Sequence, residues 1–506
     1  MIEASISAGR IRGETIPGGA VFRGVPFAAP PTGERRYLPP QPVVPWAGVR
    51  DCTAFGAACP QAPMPEDESV FAHLGHPEPT DEDCLFLNVW TPAVDGARRP
   101  TIVYVHGGGY AHGSGSLRMH DGRAFVRDGV VLITLNYRLH ALGFLALDGL
   151  FDGAEGTANL GILDQVAALR WVRDNIDALG GDADNVTIAG ESAGGMSVGT
   201  LLGTPAADGL FRRAILQSGG ACHGVSAATA RRVAERTLEV LGVAPGDWAA
   251  LRAVPVGQIV DASMRLIHQE SLDLLGDEDR HMLMPFQPAV DGTVRDELPI
   301  DRIRAGRAAG VDVMVGWCAD EWRLYWFGLP PEIAATLPPP DTAPYLEHAG
   351  LAAEDVLAVY AKQRPEAGEL DLLLAVMGDH VIGVPAVRLA EAQEAHDANA
   401  WLYRFSWPTP VFGGALRACH SLELAFLFDR LDALPGLVGE HPPRDLAASL
   451  RGAWARFAAT GDPNGGDLAE WPAYDVADRP VMDFGAERRL LRDPDAALRR
   501  LWEGVW

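Results

Sequence analysis

Four features of this 506-residue chain could do chemistry together: a serine between small residues, a run of glycines, a carboxylate pair and a histidine. The serine is Ser192, in Gly190-Glu191-Ser192-Ala193-Gly194. The preceding Val186-Thr187-Ile188-Ala189 reads as a short apolar strand, so the spacing predicts a sharp strand-to-helix turn with the hydroxyl at its tip. Small residues are needed on both flanks, because bulk there would clash as the chain reverses. In a chain with 56 glycines the spacing also arises by chance, so it needs company.

Company is present on both sides. Upstream, Thr101-Ile-Val-Tyr-Val-His106 is a strand that runs into Gly107-Gly108-Gly109-Tyr110. Bare glycines let a peptide approach a reacting carbonyl closely and turn its N–H groups toward a developing oxyanion. Downstream, the apolar strand Val311-Asp-Val-Met-Val-Gly316 is followed by Trp317-Cys318-Ala319-Asp320-Glu321. Either carboxylate could orient an imidazole, and residue types alone leave the choice open. Among 14 histidines, His420 stands out. It follows the strand-like Asn399–Phe405 and a loop, and it precedes a short apolar helix start. The chain order serine, acid, histidine suits a hydrolase in which the imidazole takes the serine proton.

These residues require a scaffold of alternating strands and helices. Strand signals lie at 101–106, 130–136, 186–190, 213–217, 311–316, 399–405 and 480–484. The 3–4 spacing of apolar residues predicts helices over 163–179 and 446–459, stopping at Gly180-Gly181 and at Gly461-Asp462-Pro463. Such alternation implies an α/β fold, a mostly parallel sheet covered by helices on both faces. The stretch from about 225 to 395 is richer in helix and is broken by Pro330-Pro331 and Leu337-Pro-Pro-Pro340. It reads as helical insertions covering the site, within a single domain over 1–506.

Composition narrows the class. The net charge of −25, with Lys362 the single lysine, speaks against nucleic acid and anionic membrane surfaces as partners. No apolar run approaches the roughly 20 residues of a membrane span. Met1-Ile-Glu-Ala-Ser-Ile-Ser lacks a basic start and an apolar stretch, so a cytoplasmic location is expected. No H-E-x-x-H, C-x-x-C pair or G-x-G-x-x-G following a strand is present, and neither a metal nor an organic cofactor is expected.

Several segments together resemble the type-B carboxylesterase family, which includes bacterial para-nitrobenzyl esterases and cholinesterases. The resemblance runs nearly end to end. It rests on Gly24-Val-Pro-Phe-Ala-Ala-Pro-Pro-Thr-Gly33, Glu82-Asp-Cys-Leu-Phe-Leu-Asn-Val-Trp90, Asn136-Tyr-Arg-Leu139 and Asn159-Leu-Gly-Ile-Leu-Asp-Gln165. Gln217-Ser-Gly219 and Trp454-Ala-Arg-Phe-Ala-Ala-Thr-Gly-Asp-Pro463 add to it, beside the serine and glycine motifs. It implies an α/β-hydrolase fold and a small-molecule ester as substrate. Ser192 would be the nucleophile, His420 the general base, and Glu321, second of the carboxylate pair, the orienting acid. Gly108, Gly109 and Ala193 would donate the oxyanion N–H groups. Trp322 stands where the family commonly has a small residue.

The resemblance also implies an acyl pocket near 280–286, with Met282, Met284 and Phe286 as an adaptable apolar wall for short to medium acyl chains. Cys59 and Cys84 match a family disulfide pair, to be either bridged or merely close in space. Cys318 and Cys419 neighbour proposed triad residues, a position more often filled by buried structural thiols. The segment between Cys59 and Cys84 holds Phe71 as its one large aromatic, which speaks against a choline ester. His73, His76 and Pro65-Glu-Asp-Glu68 make it a polar lip. The reading is therefore a serine carboxylesterase, monomer or homodimer. The alternatives are a lipase, a specialised carbamate or polyester hydrolase, and a non-catalytic binding protein on the same fold.

Overall fold

A computed structural model of the chain describes residues 1–63, 79–279, 281–327, 346–347 and 350–505. The polar lip, Phe71, Arg280 and both proline runs lie outside the described residues.

Among the described residues thirteen strands form one sheet. They are β1 (Ile2–Ile6), β2 (Gly9–Ile16), β3 (Gly19–Pro26), β4 (Val49–Asp51), β5 (Phe86–Thr91), β6 (Arg99–Val105) and β7 (Val131–Leu135). The remainder are β8 (Gly181–Glu191), β9 (Arg213–Gln217), β10 (Asp312–Cys318), β11 (Ala400–Phe405), β12 (Pro480–Phe484) and β13 (Arg488–Arg492). Their order is β1-β2-β3-β5-β7-β6-β8-β9-β10-β11-β12-β13, with β4 beside β2. From β7 to β12 every pairing is parallel, and antiparallel strands flank that block on both sides. This is the expected mostly parallel sheet.

The apolar strand sequences build two cores because successive side chains leave opposite faces of a strand. Val103, Val105, Ile188, Ala214, Leu216, Val313, Val315 and Leu402 enter one core. Ile102, Tyr104, Ala189, Ile215, Met314, Trp401 and Tyr403 enter the other. The helices Leu160–Asn175, Ala193–Leu202 and Val384–Glu394 cover the first face, through residues such as Ile162, Val166, Leu201 and Leu389. Arg444–Thr460 covers the second with Leu446, Leu450, Trp454 and Phe457. Full burial of one such side chain stabilises the fold by about 1.5–3 kcal/mol. The two helices expected at 163–179 and 446–459 are these, the first finishing in a tighter turn over Ile176–Leu179.

A buried ion pair ties the segment after β7 to the helix Leu160–Asn175. Arg138, just after β7, gives Nε and Nη2 to Asp164 Oδ2 and Oδ1 at 2.8 and 2.7 Å, and its own amide reaches Oδ2 at 3.0 Å. Its Nη1 also reaches the Leu38 carbonyl at 2.8 Å. Three of the segments that carried the resemblance, or their close neighbours, are joined here. Glu369–Glu394 is the one helical run among the described residues long and apolar enough to cross a membrane. Of its most apolar window, 61% is buried inside the molecule, where Val376, Ala386 and Leu389 pack in the core.

The sheet places the chemistry at one edge. Val105 pairs with Gly190, Glu191 with Gln217, and Gln217 with Gly316, all in parallel register. The segments that follow β6, β8, β9 and β10 therefore emerge side by side at the carboxyl ends of their strands, where open α/β sheets bind ligands.

Candidate active site

Ser192 caps the helix Ala193–Leu202 with φ 59° and ψ −128°, a conformation that side-chain-bearing residues rarely adopt. The strain is held by the sheet: its amide donates to the Gln217 carbonyl at 2.9 Å, and its own carbonyl accepts from Met196 at 2.8 Å. Gly194 meets the reason for its identity here, since a Cβ would stand 2.1 Å from the Val105 carbonyl oxygen. Ser192 is 8% exposed and opens onto a cleft of about 540 Å³, within the usual range of small-molecule sites.

His420 is brought to the same cleft. Its Nδ1 lies 2.5 Å from Glu321 Oε2, and the two residues are wholly buried. Glu321 Oε1 accepts from Ser218 Oγ and from the Cys318 amide, both at 2.7 Å, so the carboxylate is held on both oxygens. Asp320 turns the other way, toward Arg417 at 3.6 Å. His420 Nε2, the atom that would face the serine, makes no hydrogen bond among the described residues. Catalytic hydrogen bonds are often loose before substrate arrives.

Two further carboxylates surround the imidazole. Glu191 Oε1 lies 3.2 Å from His420 Nε2 and accepts from Ser421 Oγ at 2.5 Å. Glu423 receives the Gln217 amide at 2.8 Å, the Cys318 thiol at 3.0 Å and the Tyr403 hydroxyl at 3.1 Å. Burial pushes the Glu423 pKa up to about 7 and that of Glu191 upward as well. For His420, burial opposes the charged ring, but the carboxylates of Glu191 and Glu321 outweigh it and hold its pKa at about 9.

The glycine loop arrives from β6. Gly108 has φ 107°, and a Cβ there would stand 2.2 Å from the His112 carbonyl oxygen. Among the described residues the amides of Gly108 and Gly109 donate to no acceptor. The amide of Ala193, first in its helix, lacks an intrahelical partner as every helix start does. All three residues line the cleft. Met282 and Met284 line it too, and a Cβ on Gly109 would meet Met284 Sδ at 3.7 Å.

Phe286 corrects the expected wall. It is wholly buried in the main core and absent from the cleft lining, while its neighbours Met284 and Gln287 line the cleft, so its side chain packs into the core instead. Cys59 and Cys84 are buried thiols beside one another, and hydrogen bonding with Cys59, then burial, raises the Cys84 pKa. Cys318 and Cys419 are buried behind the triad and do not line the cleft.

Residues 2–498 match the sequence model of the "Carboxylesterase family". This chain belongs to the carboxylesterase family. It is 36% identical over 499 residues to the para-nitrobenzyl esterase of Bacillus subtilis (strain 168), covering 97% of this chain and 96% of that protein. It is 34% identical to the phenmedipham hydrolase of Pseudarthrobacter oxydans, covering 98% and 99% of the two chains. Among solved structures it is similar to the Geobacillus stearothermophilus carboxylesterase EST55 at pH 6.2, with 37% identity, a TM-score of 0.84, and 99% and 100% of the two chains covered. The carboxylesterase is thus a carboxylic ester hydrolase on an α/β-hydrolase fold.

Motif reading missed several residues of this carboxylesterase's site. Glu191 was in view as the second residue of the serine motif, but nothing in a local pattern says that its carboxylate turns toward a histidine 229 positions later. Glu423 follows His420 by three residues, across the left-handed Ser421 and into the helix Leu422–Leu427, so no helical spacing pointed to it. The cleft wall also holds His112, His120, His223, His268 and His281, gathered from separate loops and helices.

Proposed function

We propose that the enzyme hydrolyses carboxylic esters of short to medium acyl chains through a covalent acyl-enzyme on Ser192. His420 takes the Ser192 proton as the hydroxyl attacks the ester carbonyl. Glu321 holds the imidazole by Nδ1 and stabilises the imidazolium without accepting its proton. The tetrahedral oxyanion is received by the amides of Gly108, Gly109 and Ala193, where loss of one such donor typically costs about 3–4 kcal/mol of transition-state stabilisation. His420 returns its proton to the alcohol as it departs, and water repeats the sequence to free the acid. The observation that carries this reading is the buried Glu321–His420 pair, whose histidine reaches the same cleft as strained Ser192 and the glycine loop.

The acyl preference draws support from the cleft lining, where Met282 and Met284 offer flexible apolar surface that Leu283 and Ile382 extend. The region from about 225 to 395 acts, in this proposal, as a cover within a single domain over 1–506. It contributes His281, Met282, Met284, Tyr325 and Val381 to the wall. A cytoplasmic monomer or homodimer, acting on small esters apart from nucleic acid and membrane, completes the proposal.

The test is steady-state hydrolysis of para-nitrophenyl esters from acetate to palmitate, wild type beside Ser192→Ala. The expected result is a maximum between two and eight carbons and a loss of about 10⁶-fold in the variant, with an unchanged melting temperature. A maximum at long chains would make the enzyme a lipase. Activity persisting in the variant would remove Ser192 from its role.

A further inference from the structure

Tyr325 stands four residues after Glu321, on the short helix Arg323–Phe327. Its ring centroid lies 5.4 Å from that of His420 and 4.9 Å from that of Trp322, and it lines the cleft with Ser192. Sheet order explains the placement. In the series β6-β8-β9-β10 the glycine loop follows β6, on one side of the serine strand, whereas Glu321 and Tyr325 follow β10, on the other. The two groups therefore reach Ser192 from opposite sides. An ester carbonyl whose oxygen sits at the glycine amides turns its alkoxy group toward His420, the side on which Tyr325 lies. We propose that Tyr325 is a further catalytic residue: its phenol donates a hydrogen bond to the alkoxy oxygen of the departing alcohol.

The inference rests on the Ser192–His420–Glu321 reading. Proton accounting stays simple. As the carbon–alkoxy bond breaks, its electron pair passes to the alkoxy oxygen, and the proton that neutralises it comes from the His420 imidazolium. Tyr325 keeps its own proton and only points it at the oxygen. Tyr325 is 38% exposed along the cleft, and the phenol is suited to remain protonated: burial of its hydroxyl end, then the nearby charges of Glu191 and Glu321, push its pKa upward. The ring stands beside the imidazole whose Nε2 carries no hydrogen bond among the described residues, so the phenol lies on the side from which His420 would deliver its proton.

The experiment compares wild type with Tyr325→Phe, which keeps the ring on His420 and removes one oxygen. Substrates are para-substituted phenyl acetates, from nitro through unsubstituted to methoxy, together with ethyl acetate, so the acyl group is constant. The readout is kcat/KM, which reports acylation. A stable phenoxide such as nitrophenolate needs little help, so that ester should change by less than about 2-fold. Ethyl acetate should lose about 10- to 100-fold, as for a hydrogen bond to a charged oxygen. The dependence on leaving-group pKa becomes steeper. An equal loss across the series would make Tyr325 merely structural, and no loss for ethyl acetate would overturn the proposal. Labelling of Ser192 by a fluorophosphonate separates the two readings. If the label fails in wild type, the triad reading falls; if it succeeds in both proteins and the slopes coincide, only the role of Tyr325 falls.

Discussion

Replacing Glu191 by glutamine should change the pH profile in a way that only a charge acting on His420 can produce. Gln keeps the size of the side chain and an oxygen for Ser421 Oγ, which now donates at 2.5 Å. What it removes is a negative charge 3.2 Å from His420 Nε2. At an effective dielectric of about 20, two unit charges at that distance attract by about 5 kcal/mol, an upper bound equivalent to nearly 4 pH units. Ser421 and the surrounding protein dipoles screen the pair further, so a movement of roughly 1–2 pH units is expected.

The sign follows from the base's task. As the proposed base, His420 must be neutral to take the Ser192 proton, so in wild type kcat/KM should climb with pH toward its pKa of about 9. At pH 7 only about 1% of the imidazole is then neutral. In the variant the pKa falls, and the plateau falls by the same factor, about 10- to 100-fold, because the imidazolium formed in the transition state loses the same partner. Well below both pKa values the ring is charged before and during reaction, so the two acidic limbs should superimpose. The assay is kcat/KM for a simple acetate ester by pH-stat from pH 5 to 10. A loss of equal size at every pH, with an unmoved midpoint, would refute the electrostatic argument.

Glu321→Gln should lower kcat by about 10³–10⁴-fold on nitrophenyl esters, because the imidazole loses its oriented tautomer. Asp320→Asn, which loosens only a 3.6 Å contact with Arg417, should leave kcat within a few-fold, and the reverse ranking would move the acid to Asp320. Gly108→Ala should lower kcat about 10²–10³-fold, since its Cβ would meet the His112 carbonyl at 2.2 Å and push the amide off the oxyanion. An unchanged kcat in that variant would take Gly108 out of the oxyanion hole.

Much of the fold was legible because its signals are local. An apolar run bounded by turn residues favours a strand wherever it falls, and each of the seven anticipated strands overlaps one of the observed ones. The same holds for Gly194 and Gly108, whose lack of a side chain answers to a carbonyl 2.1 or 2.2 Å from where a Cβ would be. Ser192 was legible for a related reason, since its strained turn needs small neighbours in fixed positions. Phe286 misled because an apolar residue in a pocket-forming loop and one in the adjoining core have the same type; only which way the side chain packs separates them.

Sequence by itself determined that this chain makes a parallel sheet with a serine on a strained turn, a glycine loop ahead of it, and an acid and a histidine after it. Residue types left Asp320 and Glu321 equal. Tertiary structure decided which carboxylate meets His420, across 99 positions of chain, and that Glu191 and Glu423 also lie close to the imidazole. It also decided that Tyr325 lies over the histidine's ring. The physical reason is sheet order. Which loops meet at the carboxyl edge depends on which strands are neighbours, and that is settled by packing two continuous cores rather than by any segment alone.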